Sequence, residues 1–116
     1  TVQRREVTIT WTGDAAAGGH VTYTLNPATF GITGWYLYEA VTNPGTAPDD
    51  NYDIAITDTD AADLVGTDLG NRSATSSQRV RFDSYYPQIW NNWTLTVTND
   101  NNLSAVIVLK LRFTTN

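Results

Sequence analysis

A chain of 116 residues with 7 basic against 12 acidic side chains has a formal charge of −5, which argues against nucleic acid, whose phosphates need clustered cations. It has no cysteine, so neither a disulfide nor a thiolate metal site is available. Its longest apolar run, 105–109, is strand-sized and far too short to cross a bilayer as a helix.

One domain, 1–116, is the natural count at this length. Thr, Val, Ile, Tyr and Trp dominate while Glu, Lys and Leu are scarce, a β composition and not a helical one. Positive charge is mostly Arg, with Lys110 the only lysine. A small first residue, Thr1, fits both loss of an initiator Met after cytoplasmic synthesis and trimming of a longer chain. With no basic–apolar–small-residue pattern in the opening residues, Sec export is not expected.

Arg4 and Arg5 stand before the first alternating run, in which Val7, Ile9 and Trp11 interleave with Thr8, Thr10 and Thr12. Such period-2 alternation predicts a half-buried strand. The two Arg read as a terminal arm able to add to a neighbouring sheet edge or acidic surface, or as a frayed end. The polar stretch 13–19 predicts a loop. His20, the only histidine, reads as a strand-edge residue, because no nucleophile elbow or related Ser setting accompanies it.

Val21, Tyr23 and Leu25 predict a second strand, broken at Asn26-Pro27, and Gly31 and Gly34 bracket the next turn. Residues 35–41 predict a strand with Trp35, Leu37 and Val41 on one face and Tyr36 and Tyr38 on the other. Further on, Tyr52, Ile54 and Ile56 alternate with Asp53, Ala55 and Thr57, and Leu64-Val65 follows as the return of a tight hairpin. Between them stand Asp58, Asp60 and Asp63. Three carboxylates at this spacing can present hard oxygens to Ca²⁺, but the turn lacks the Gly and distal Glu of an EF-hand. Asp also caps turns through its own backbone, and that is the preferred reading, leaving the three as a weak metal candidate.

The string from Asn43 to Arg72 resembles a segment of small structural proteins of tailed bacteriophages. A P-G-x-x-P-[DS]-[DN]-N-Y-D-[IV] lead-in is matched over residues 44–54, a T-D-x-D-x-x-D-[LV] turn over 57–64, and a G-x-x-x-x-N-R exit over 66–72. The resemblance covers about a quarter of the chain. It implies a virion component bound to the capsid exterior, and not an enzyme.

Val80 and Phe82 alternate with Arg79, Arg81 and Asp83. The next run, Tyr85-Tyr86-Pro87-Gln88-Ile89-Trp90-Asn91-Asn92-Trp93, is dense in aromatics for a loop. Trp93 belongs in register with the strand that follows. Tyr85, Tyr86 and Trp90 read as protein-interface anchors, since amphipathic aromatics bury large area at low entropy cost. Two other readings stay open, a cap on the open end of the core and a platform for sugar rings. Two long strands, over 93–97 and 107–113, close the chain as an expected terminal hairpin.

About eight strands with short polar connections predict an all-β fold, a single antiparallel β-sandwich or jelly-roll-like domain. No catalytic constellation emerges and nothing in the chain asks for a cofactor. With the resemblance, the reading is a capsid decoration (cement) protein on the outside of a phage head, bridging major capsid subunits. Its expected partners are the major capsid protein and itself, as a homodimer or homotrimer, with no nucleic acid and no membrane. The expected contact residues are Arg4, Arg5, Tyr85, Tyr86 and Trp90. A neck, tail or fibre-adaptor component and a carbohydrate-binding module for host attachment are the alternatives.

Overall fold

Alternation of apolar and polar side chains builds the strands of this protein. Its structure, a computed structural model, describes residues 1–12, 21–45, 51–82, 86–98 and 106–116. Among these, seven strands and one helical turn follow in order: β1 (Arg4–Thr12), β2 (Val21–Leu25), α1 (Pro27–Phe30), β3 (Tyr36–Pro44), β4 (Asp53–Thr57), β5 (Gln78–Arg81), β6 (Trp93–Thr98) and β7 (Val106–Thr114). β1, β7, β3 and β5 pair in that order as a four-stranded sheet, and β2, β6 and β4 form a three-stranded one. All pairings are antiparallel. Successive strands lie in opposite sheets, so no two consecutive strands pair. That is jelly-roll wiring.

The inward residues of both sheets meet in one core. Val7, Ile9 and Trp11 of β1 and Ile107, Leu109, Leu111 and Phe113 of β7 are buried against Leu25, Ile54, Ile56, Trp93, Leu95 and Val97 of the other sheet. Trp93 and Phe113 rings approach to 5.9 Å between centroids, which ties the start of β6 to the end of β7. Each such side chain, fully buried, contributes roughly 1.5–3 kcal/mol.

Between β2 and β3 the chain turns through α1. Asn26 caps it by accepting from the Ala28 amide at 3.0 Å, Pro27 starts it, and Gly31 ends it at φ 67°. Pro is preset for a first helical turn, and Gly takes the left-handed cap without steric cost. The expected break at Asn26-Pro27 and the turn at Gly31 are therefore both present.

Three expectations change. The last two strands do not form a hairpin: β6 pairs with β2 and β4, whereas β7 pairs with β1 and β3. Each is a central strand of its own sheet, and stacked sheets lie ~10 Å apart. Among the described residues there are seven strands and not about eight. Leu64-Val65 returns beside β4 through the Leu64 amide to the Ile56 carbonyl at 2.9 Å and an isolated bridge between Thr57 and Asp63, a hairpin contact too short to count as a strand. Finally, Val41 faces outward. A bulge between Leu37 and Glu39 shifts the register so that Ala40 and Thr42 take the inward positions. Unbroken alternation from Leu37 would have aimed Glu39 into the apolar core. The bulge sends the carboxylate outward instead.

Candidate interaction surface

Residues 86–90 continue the edge begun by β5. The Leu37 amide donates to the Pro87 carbonyl at 2.8 Å, the Ile89 amide to Trp35 at 2.9 Å, and the Gly34 amide to Ile89 at 2.6 Å. Gln88 adds a side-chain bond to the Gly34 carbonyl at 2.8 Å. Pinned in this way, the segment alternates as a strand does: Pro87 and Ile89 are buried, whereas Tyr86 and Trp90 are 44% and 61% exposed. Capping the core and presenting aromatics are thus done by alternate residues of one segment. Tyr85 lies outside the described residues.

Trp90 has a seat that only glycine provides. Gly34 sits at φ +83°, and a β-carbon there would stand 3.2 Å from two carbons of the Trp90 ring. Below the ring is a groove of about 170 Å³ whose wall includes Asp58, Asp60, Gln88, Asn91 and Leu64. The acidic turn and the aromatic segment, far apart in sequence, therefore border one concavity.

Within the acidic turn the carboxylates cap backbone. Asp58 Oδ1 accepts from the Asp60 and Ala62 amides at 2.9 and 3.0 Å, and Asp63 Oδ1 accepts from Gly66 at 2.9 Å. Asp53 Oδ1 similarly holds the Asn71 amide at 2.8 Å. Among the described residues no group of three His, Cys, Asp or Glu is placed to hold a metal ion.

Arg4 and Arg5 are not a free arm. Both lie in β1, opposite Thr114 and Phe113 of β7, and strand alternation sends their side chains to opposite faces. Arg5 donates to the Phe30 carbonyl and places its guanidinium 5.3 Å from the centre of the Trp35 ring. It buttresses the turn that carries Gly34. Arg4 lies on the outer face, 5.5 Å from the centre of the Tyr38 ring. There it lines a second pocket of about 160 Å³ with Tyr38, Arg81, Tyr86, Thr114 and Asn116. Of the expected contact residues, Arg4 and Tyr86 are brought together, whereas Trp90 borders the separate groove.

Glu39, missed in the sequence, organises this outer face. It is only 3% exposed and accepts from Arg112 Nη1 at 2.5 Å and Arg81 Nη2 at 3.3 Å, with Arg79 Nε at 3.5 Å. Arg112 also bonds Glu6 through Nε at 3.0 Å. Burial pushes the Glu39 carboxyl up, but the Arg112 hydrogen bond, the Arg79 charge and the Arg81 hydrogen bond together hold it below its ordinary value. The bonds to Glu39 and Glu6 raise Arg112 in turn. One lone Glu in an apolar strand, with Arg at alternate positions of another, was the available signal. The β3 bulge hid which face it served.

These features share one end of the sandwich. Register sets Arg4 of β1 and Tyr36 of β3 beside Thr114 of β7, and Leu25 of β2 opposite Trp93 of β6. α1 joins β2 of one sheet to β3 of the other.

No protein-family model matches the chain, and no curated protein matches it in sequence. Among solved structures, it is similar to a chain of the cyanophage Pam1 capsid asymmetric unit, with 10% identity and a TM-score of 0.53 over 99% of this chain and 85% of that one. It is more distantly similar to a chain from Bacillus endospore appendages, described as disulfide-linked pili (17% identity, TM-score 0.40, 100% and 90% covered). A chain of Desmodium yellow mottle tymovirus gives 8% identity and a TM-score of 0.43, with 98% and 86% covered. The first of these likenesses shows a shared fold.

Proposed function

We propose that this chain is a non-enzymatic structural protein of a virion. Its specific role is capsid decoration: it sits on the outside of a phage head and bridges major capsid subunits. The observation that carries this reading is the fold shared over nearly the whole chain with a member of a cyanophage capsid unit. The phage-like string over residues 43–72 supports it from the sequence side. Exposed Tyr86 and Trp90, on a segment rigidly pinned to β3, are the kind of aromatic anchors that interfaces use.

The mechanism is additive clamping. Each copy buries an interface of roughly 1,600 Å², and contact with two shell subunits at once gains from effective concentration. A ligand that binds only the assembled shell stabilises it by mass action. A homodimer or homotrimer on a local symmetry axis lets one surface meet equivalent partners. Tyr86→Ala combined with Trp90→Ala tests the anchors: it should fold normally yet fail to co-sediment with shells. Full occupancy by the double variant removes this surface from the account.

The Trp90 groove supports a second reading, a carbohydrate-binding module for host attachment. An exposed indole beside carboxylates and amides suits an apolar sugar face and its hydroxyl rim. Glycan-array binding lost in Trp90→Ala would favour it, and silence across a broad array would count against it.

A further inference from the structure

We propose that the pocket between Arg4 and Arg81 receives a carboxylate side chain from a partner polypeptide. In naming a polypeptide the inference rests on the virion reading above; the pocket's chemistry does not.

Charge distribution points to this face first. The chain has a net charge of −5, yet the outer face of the four-stranded sheet carries Arg4, Arg79, Arg81, Lys110 and Arg112 against only Glu6 and Glu39 among its described residues. Most of that positive charge is committed. Glu39 and Glu6 hold Arg112 between them, and Glu39 also engages Arg79. Arg81 gives Glu39 one nitrogen, Nη2, while its side chain stays 60% exposed. Arg4 makes no ion pair with any described carboxylate; the Tyr38 ring supports its guanidinium.

The two guanidinium groups therefore line one pocket from fixed positions, one braced on an aromatic ring and one on a buried carboxylate. The Tyr38 and Tyr86 side chains border the same space. Planar forks held in advance lose little entropy on binding and match a carboxylate through paired hydrogen bonds. At about 160 Å³ the pocket falls below the ~300–1,000 Å³ of small-molecule sites, which suits the head group of one side chain. A nucleic acid would need a track of free cations along successive phosphates, and Glu6 and Glu39 interrupt that track.

The test titrates the isolated protein, followed by amide NMR shifts at Arg81, Tyr86 and Thr114. The probes are acetyl-(Asp-Ser)₄-amide, its Asn-Ser counterpart and an eight-nucleotide oligo-dT. Saturable shifts with the Asp peptide alone are expected. Arg4→Gln should weaken that binding roughly tenfold, the loss of one charge-assisted contact. Lys110→Gln, on the same face but outside the pocket, should change it less than about twofold. Equal weakening by the two variants would reduce the effect to general electrostatics and overturn the pocket, as would equal binding of the Asn peptide. Tighter binding of oligo-dT would replace the carboxylate with phosphate. Peptide binding by a protein that ignores shells would instead sink the virion reading and leave the pocket standing.

Discussion

On the outer face of the three-stranded sheet, Thr22 stands opposite Thr96 and Thr24 opposite Thr94, with Ala55 and Thr57 extending the rows. Across the four-stranded sheet the equivalent row reads Glu6, Arg112, Glu39, Arg81. The same alternation makes both faces, but their energetics differ. Cross-strand threonine pairs are local, each contributing about 0.2–1 kcal/mol, so one can be lost without disturbing the next. The charged row is a network centred on a carboxylate that water barely reaches. Removing that centre leaves three guanidinium groups without their shared partner. A face can therefore be polar and replaceable, or polar and interdependent, on a single sandwich.

The two faces should differ most in their response to substitution at Glu39. Glu39→Ala should cost roughly 2–4 kcal/mol in urea unfolding at neutral pH, discounted from a fully buried pair because Arg79 and Arg81 are largely exposed. A cost below that of a threonine substitution would mean the network adds nothing.

Acid should separate the faces next. Because the folded Glu39 carboxyl lies below its ordinary 4.5, the stability it contributes is complete above that value. It is lost as pH falls through the depressed folded value. The gap between wild type and Glu39→Gln should thus hold steady from neutral pH to about 5 and shrink below it. A gap independent of pH would place the effect in packing, not charge.

Smaller effects sharpen the contrast. Arg79→Gln, at the exposed rim of the network, should cost about 0.5 kcal/mol and should respond to salt. Thr96→Ala should cost about as little, with no salt dependence at all. Thermal unfolding in low and high salt would read both.

Much of this fold was legible because alternation survives translation into three dimensions. Tyr52, Ile54 and Ile56 were assigned to one face, and all three are buried. What escaped was pairing. The final two strands read as a hairpin because a short polar segment joins them, but short connections also link strands of opposite sheets in this wiring. The β3 bulge escaped too: a single inserted residue moves Glu39 from the core side to the outer face, and no composition signal marks it. On the candidate surface, aromatic density beside Pro and Asn marked Tyr86 and Trp90 as surface candidates while leaving a core cap open, and both are exposed. That Arg4 would join Tyr86 while Arg5 turned to Phe30 and Trp35 depended on strand register. Arg81 entered the same pocket through its partner Glu39, which only the tertiary structure brings within reach.

Whether the protein resides on a shell is read from its copy number in purified virions of the source that encodes it. Quantitative mass spectrometry against the major shell subunit should give on the order of hundreds of copies per particle, in fixed ratio to shell symmetry. Absence from particles would contradict the account, and a count of roughly three to twelve would move the chain from the shell to the neck or tail.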